Sequence, residues 1–204
     1  MCQSPTLEEI QKKALDSGNW EPLREYYRPE QIRLLLVANA APHNRFFYLD
    51  DVKEHDGLFH AVAEAVCSSE HQMYCLTVFN DSMRIAQKRE ILELFKMKGI
   101  YLMDILPKTK DKAIKEATLS YWLDEFKKHV FEQPISKDCV VVLCHNNAHK
   151  LKSFFIDHKF DTEKLPCPVQ QNGCFLGQKG TFITKLSKIY QKIEGNEETT
   201  NAKP

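Results

Sequence analysis

"IRLLLVANA", residues 32–40, decides the fold. The run is apolar and of strand length, and it lacks the alternation of a strand with one wet face, so it reads as a strand covered on both sides. Buried strands of this kind belong to parallel sheets with helices on both faces. The flanking segments agree. Thr6 and Glu9 have capping-box spacing and open a helix through "LEEIQKKAL". Next, "DGLFHAVAEAV" reads as a helix and "YCLTVF" as a short strand. "DSMRIAQKREILELFKMK" follows as a helix capped by Asp81 and stopped by Gly99, and "IYLMDILP" as a strand. In "TLSYWLDEFKKHV" the residues Leu119, Trp122, Leu123, Phe126 and Val130 share one helical stripe, and "DCVVVLC" is again a buried strand. "NAHKLKSFFI" and "FITKLSKIYQKI" are the last two helices, the second with Phe182, Leu186, Ile189 and Ile193 on one face.

Four strands separated by helices predict an α/β fold: a three-layer α/β/α domain around a central, largely parallel four-stranded sheet. One domain covers residues 1–193, and the polar "EGNEETTNAKP" reads as a flexible tail over 194–204.

Composition narrows the function. Lys plus Arg equals Asp plus Glu at 28 each, so no global field marks a nucleic-acid or membrane partner, and any such surface must be local. No apolar run has the length of a membrane span, and "MCQSPTLEEI" lacks the regions of a signal peptide; the expectation is a cytoplasmic protein. The seven cysteines form no CxxC pair and read as reduced, structural thiols. The phosphate loop, the dinucleotide fingerprint and the serine elbow are all missing, so no cofactor and no metal is expected.

In a parallel sheet the ligand crevice lies beyond the carboxyl ends of the strands, which selects "ANAAPHNRFFYLDD", "LMDILPKTK" and "CHNNAH". Three consecutive aromatics in the first cannot all face one core, so Phe47 or Tyr48 is either core or an exposed stacking surface. Asp104 ends a strand where an isolated carboxylate is costly to bury unless it binds a ligand or caps a turn. Lysines 108, 110, 112 and 115 are a solvated loop or a backbone-phosphate contact. His145 and His149, four apart beside Cys144, are either a helix start or metal ligands. "LPCPVQQNGCFLGQKGTF", residues 165–182, holds three of the seven glycines of the chain, which suits a loop whose backbone approaches a ligand closely.

Together these segments resemble the uracil-DNA glycosylase superfamily over roughly residues 31 to 193. "ANAAPH" is similar to its first-strand motif, written GQDPYH or GEAPG in different branches. "YLMD" stands where the family has "LLLN", "VLCHNNAHK" is similar to "LLWGxxAxxK", and the 165–182 stretch is similar to the "HPSP" loop and its following turn. The resemblance implies a DNA-repair hydrolase that cleaves an N-glycosidic bond after extruding the base. It implies that Phe47 or Tyr48 stacks on the base, that Asp104 reads its edge, and that Pro166, Cys167, Pro168, Lys179 and Gly180 press on the nucleic-acid backbone. The departures matter as much. Ala40 and Leu165 stand where the best-known branch has its water-positioning carboxylate and its histidine, which leaves Asn39 and His43 as the catalytic candidates, with Asp50 and Asp51 within reach. An ionised Asp104 only accepts hydrogen bonds, so it favours base edges rich in N–H donors over uracil. The paired N-terminal cysteines of the iron–sulfur branches have no counterpart here.

The expectation is therefore a monomeric, divergent glycosylase-like protein that binds DNA or another nucleobase-containing ligand. Two alternatives stay open: a non-catalytic module that binds nucleic acid or protein on the same fold, and a small-molecule α/β enzyme built around His145 and His149.

Overall fold

The computed structural model describes residues 5–40, 46–50, 57–76, 80–106, 118–168 and 176–201, with backbone alone for 176, 177 and 196–201. Its centre is a four-stranded, all-parallel sheet of β1 (Ile32–Ala40), β2 (Ile100–Leu106), β3 (Ile135–Leu143) and β4 (Asp161–Lys164), in the order β2-β1-β3-β4. Eight described α-helices flank it: α1 (Leu7–Ser17), α2 (Glu21–Tyr26), α3 (Gly57–Val66), α4 (Ser68–Leu76), α5 (Asp81–Met97), α6 (Leu119–Val130), α7 (Lys152–Asp157) and α8 (Leu176–Asn201). This is the three-layer α/β/α arrangement expected from the sequence.

The reading of β1 holds: Leu34, Leu35, Leu36 and Val37 are all fully buried, so both faces of the strand are covered. Leu36 is in register with Leu102 on one side and with Val142 on the other, which makes β1 the middle of the core. The chain leaves β1 for β2 in one direction and later returns past it to β3 on the other side. Right-handed crossovers then require the intervening helices to lie on opposite faces. The ring contacts agree. Phe59 of α3 packs against Phe95 of α5 with centroids 6.1 Å apart, whereas Phe126 of α6 meets Phe155 of α7 at 6.5 Å.

Local signals fix the helix ends. Thr6 and Glu9 form the expected reciprocal capping box on α1. Asn80, and not Asp81, caps α5 by accepting from the Met83 amide. Gly99 turns the chain from α5 into β2 at φ 71°, and a Cβ there would sit 2.7 Å from the Gln31 carbonyl oxygen, so this turn requires glycine.

Three expectations are corrected. "YCLTVF" is not a strand: residues through Leu76 belong to α4, which buries His71 and Tyr74 three apart on one side, and 77–79 lie outside the described residues. The fourth strand is "DTEK", at the sheet edge beyond β3, where only Thr162 is buried. At the carboxyl end, α8 begins at Leu176, inside the stretch read as a loop, and runs to Asn201, past the start of the expected tail.

Candidate functional site at the carboxyl edge of the sheet

Because β1 sends the chain first to β2 and β3 lies on its other flank, the crevice between the carboxyl ends of β1 and β3 is the topological switch point of the sheet. Two amides meet there. Asn39, next to last in β1, accepts through Oδ1 a hydrogen bond from Asn147 Nδ2 at 2.8 Å, and both side chains are half-buried. Among the described residues this bond leaves the Asn39 amide hydrogens and the Asn147 carbonyl oxygen for other partners. The pair thus offers donor and acceptor side by side.

The turn that carries Asn147 is held by two histidines. His145 Nδ1 accepts from the Asn147 backbone amide at 3.1 Å. Burial, and then the neighbouring His149, push the His145 pKa below its ordinary value, so the ring is neutral at pH 7. His149 Nε2 lies 3.1 Å from the carbonyl oxygen of Leu143 and 3.0 Å from that of Leu165, so its N–H bridges the segments that leave β3 and β4. A nitrogen donating to two carbonyls has no lone pair for a metal. Cys144, fully buried, points its thiol at the Val142 carbonyl, and burial raises its pKa. His145 Nδ1, His149 Nε2 and the Cys144 thiol each meet a backbone group, and the three side chains form no convergent ligand grouping among the described residues, so in this structure they pin the loop.

Phe47 and Tyr48, expected as stacking faces, are 4% and 1% exposed. Phe47 stacks on Phe95 at 5.7 Å and meets Phe59 edge-on at 5.8 Å, while Tyr48 stacks on Tyr27 at 5.8 Å. In the described structure neither ring presents a face to a ligand, so the aromatic triplet resolves as core. Asp104 is corrected as well. Its side chain is 3% exposed and accepts from Arg24 Nη2 of α2 at 3.0 Å, while the same guanidinium pairs with Glu21. A carboxylate engaged in a buried ion pair is not an open reader of base edges, which removes the group behind the preference for N–H-rich edges.

Asp50 is 1% exposed and ion-paired with Arg89, which also reaches Glu8 of α1 at 2.8 Å, so it fastens helices rather than orienting water. Leu165, which the resemblance aligns with a histidine, is buried, and its amide continues the ladder by donating to the Leu143 carbonyl at 3.0 Å. Pro166 and Cys167 are half-buried and Pro168 is buried, on the chain leaving β4. Cys167 lies close enough to Cys144 for the two thiols to interact electrostatically. Lys179 and exposed Gly180 lie in the first turns of α8, and the Lys179 ammonium pairs with Glu64 of α3 at 3.3 Å. His43, Asp51, lysines 108, 110, 112 and 115, and Gly173 lie outside the described residues. No described helix is long and apolar enough to cross a membrane.

Sequence reasoning placed Asn39 at this edge of the sheet, where the structure has it, but it missed Asn147 as its hydrogen-bond partner. The signal was present in "CHNNAH", since a polar residue in the turn just after a buried strand, here four past Leu143, is placed to meet one from the end of the adjacent strand. No protein-family model, curated protein or solved structure matches the chain.

Proposed function

We propose that this protein is a divergent member of the uracil-DNA glycosylase superfamily, a cytoplasmic monomer that binds an extruded or free nucleobase in the crevice between β1 and β3. The observation that supports this reading most is the Asn39–Asn147 amide pair at the switch point. Adjacent donor and acceptor groups complement the adjacent acceptor and donor of a base edge, and neutral amides bind it with a smaller desolvation cost than charges would incur. The segments carrying the resemblance start from neighbouring strand ends, so their order along the chain becomes proximity in space.

Binding is better supported than hydrolysis. Ala40 and Leu165 supply neither a carboxylate nor an imidazole, and His149 is committed to two carbonyls. Losing one electrostatic donor at such a centre typically costs about a hundredfold or more in rate, so any turnover is slow and relies on Asn39 to orient water.

The test is a panel of single- and double-stranded oligonucleotides carrying uracil, hypoxanthine, alkylated or oxidised bases, scored for both binding and abasic sites with wild type and Asn39→Ala. Salt-dependent binding that weakens in Asn39→Ala is the expected result. Cleavage lost in the same variant extends the reading to a glycosylase, and the absence of both binding and cleavage overturns it.

A further inference from the structure

Helices α3 and α4, which carry none of the crevice residues, bring three ligand atoms of another kind together. His60 Nδ1 of α3 lies 3.0 Å from His71 Nε2 of α4, and Cys75 Sγ, one helical turn beyond His71, lies 3.6 Å from the same nitrogen. The three atoms all lie within 4.8 Å of one another, and among the described residues this is the one such grouping of histidine, cysteine or carboxylate ligands. The imidazoles meet nearly at right angles, with an interplanar angle of 84°, so the two nitrogens converge without stacking.

The two separations at His71 Nε2, 3.0 and 3.6 Å, are close to those within a tetrahedral site. A cation with bonds of about 2.0–2.1 Å to nitrogen and about 2.3 Å to sulfur holds its ligand atoms about 3.3–3.6 Å apart. His71 is buried and His60 half-buried, which orders two of the ligands, while Cys75 is exposed and leaves a path from solvent. Two imidazoles and a thiolate are a borderline-soft set that suits zinc-class cations and not magnesium or calcium.

We infer that His60 Nδ1, His71 Nε2 and Cys75 Sγ are the three protein ligands of a zinc-class divalent cation whose fourth position is open to water or an incoming ligand. Binding displaces the Cys75 thiol proton to solvent. The proton of the imidazole pair moves to the far nitrogen of its own ring, freeing both lone pairs, and no electrons are transferred. The site is independent of the nucleobase reading, sharing no residue with it.

The experiment uses the full chain, stripped with chelator, kept reduced and titrated with Co²⁺ and then Zn²⁺. The expected result is one Co²⁺ per chain, with a thiolate-to-cobalt charge-transfer band in the near ultraviolet and the strong visible bands of a four-coordinate ion, both bleached by Zn²⁺. Cys75→Ser, at an exposed position, keeps the circular dichroism of the wild type, loses the charge-transfer band and weakens binding by about a hundredfold, at least the effect of altering a residue that only orients a ligand. Cys167→Ser retains the band. A wild-type protein without the band at saturating Co²⁺, or a band undiminished in Cys75→Ser, overturns the assignment.

Discussion

The hydroxyl of Tyr48 stands in for a missing neighbour strand at Leu102. It accepts from the Leu102 amide at 2.6 Å and donates to the Leu102 carbonyl at 3.3 Å, on β2, the outermost strand of that side. Burial holds its pKa well above the ordinary tyrosine value, so it remains a donor at all ordinary pH. An unpaired sheet edge in a buried setting costs free energy, and one phenol satisfies both exposed groups. Tyr48→Phe should therefore destabilise the protein by about 1–3 kcal/mol, read from urea midpoints, while leaving oligonucleotide affinity unchanged. Weaker affinity at unchanged stability would mean that the ring serves a ligand instead.

Arg24 and Asp104 make the second test. Asp104→Ala leaves the buried Arg24 guanidinium with only the exposed Glu21 as its counter-charge, so it should cost up to about 3–5 kcal/mol. Replacing both with apolar residues, Arg24→Met with Asp104→Leu, should recover most of that loss, because neither charge then has to be desolvated. Chemical denaturation of Arg24→Met, Asp104→Leu and the double variant closes the cycle. A double variant as unstable as Asp104→Ala alone would show that packing, not charge, dominates at this position.

The legibility of this fold followed burial. Strands β1, β2 and β3 announced themselves because each is apolar where both faces are covered. "DTEK" did not, because an edge strand beside solvent needs only Thr162 inside, and its composition is that of a loop. "YCLTVF" misled in the opposite direction: its aromatic and β-branched residues favour strands, yet the helix needs only His71 and Tyr74 on its inner side. At the site, Asn39 was legible from its place at a strand end. The buried partners of Asp104 and Tyr48 were not, because Arg24 is 80 positions away from Asp104 and Leu102 is 54 from Tyr48. His60 joins His71 and Cys75 only once α3 and α4 pack together, although the four-residue spacing of the latter two was visible.

His145 gives the turn a pH dependence whose sign follows from its depressed pKa. The folded protein holds the ring below 6.5, mainly through burial, so as pH falls the unfolded chain takes up that proton first. The stabilising contribution is present above the unfolded value and is lost as pH drops below 6.5 toward the folded value. Urea midpoints at about pH 7.5 and about pH 5 should differ more in wild type than in His145→Asn, whose side-chain oxygen can still accept from the Asn147 amide. Equal shifts in the two proteins would assign the dependence to other groups.

Asn39→Asp separates the chemistry of the amide pair from its packing. The carboxylate keeps an acceptor for Asn147 Nδ2, at 2.8 Å in the native pair, and fills almost the same volume. It replaces the Asn39 donor with an acceptor and brings a negative charge into the crevice. A ligand that offers an acceptor to Asn39 then meets repulsion, and a buried acceptor left without a donor costs about 1–3 kcal/mol, equivalent to roughly a tenfold to hundredfold loss of affinity. Folding stability should change by less than it does for Tyr48→Phe, because the partly exposed carboxylate retains water. Isothermal titration with the tightest-binding oligonucleotide of the panel measures the loss directly. Unchanged affinity would remove Asn39 from the binding surface and leave the amide pair as a structural link between β1 and the turn after β3.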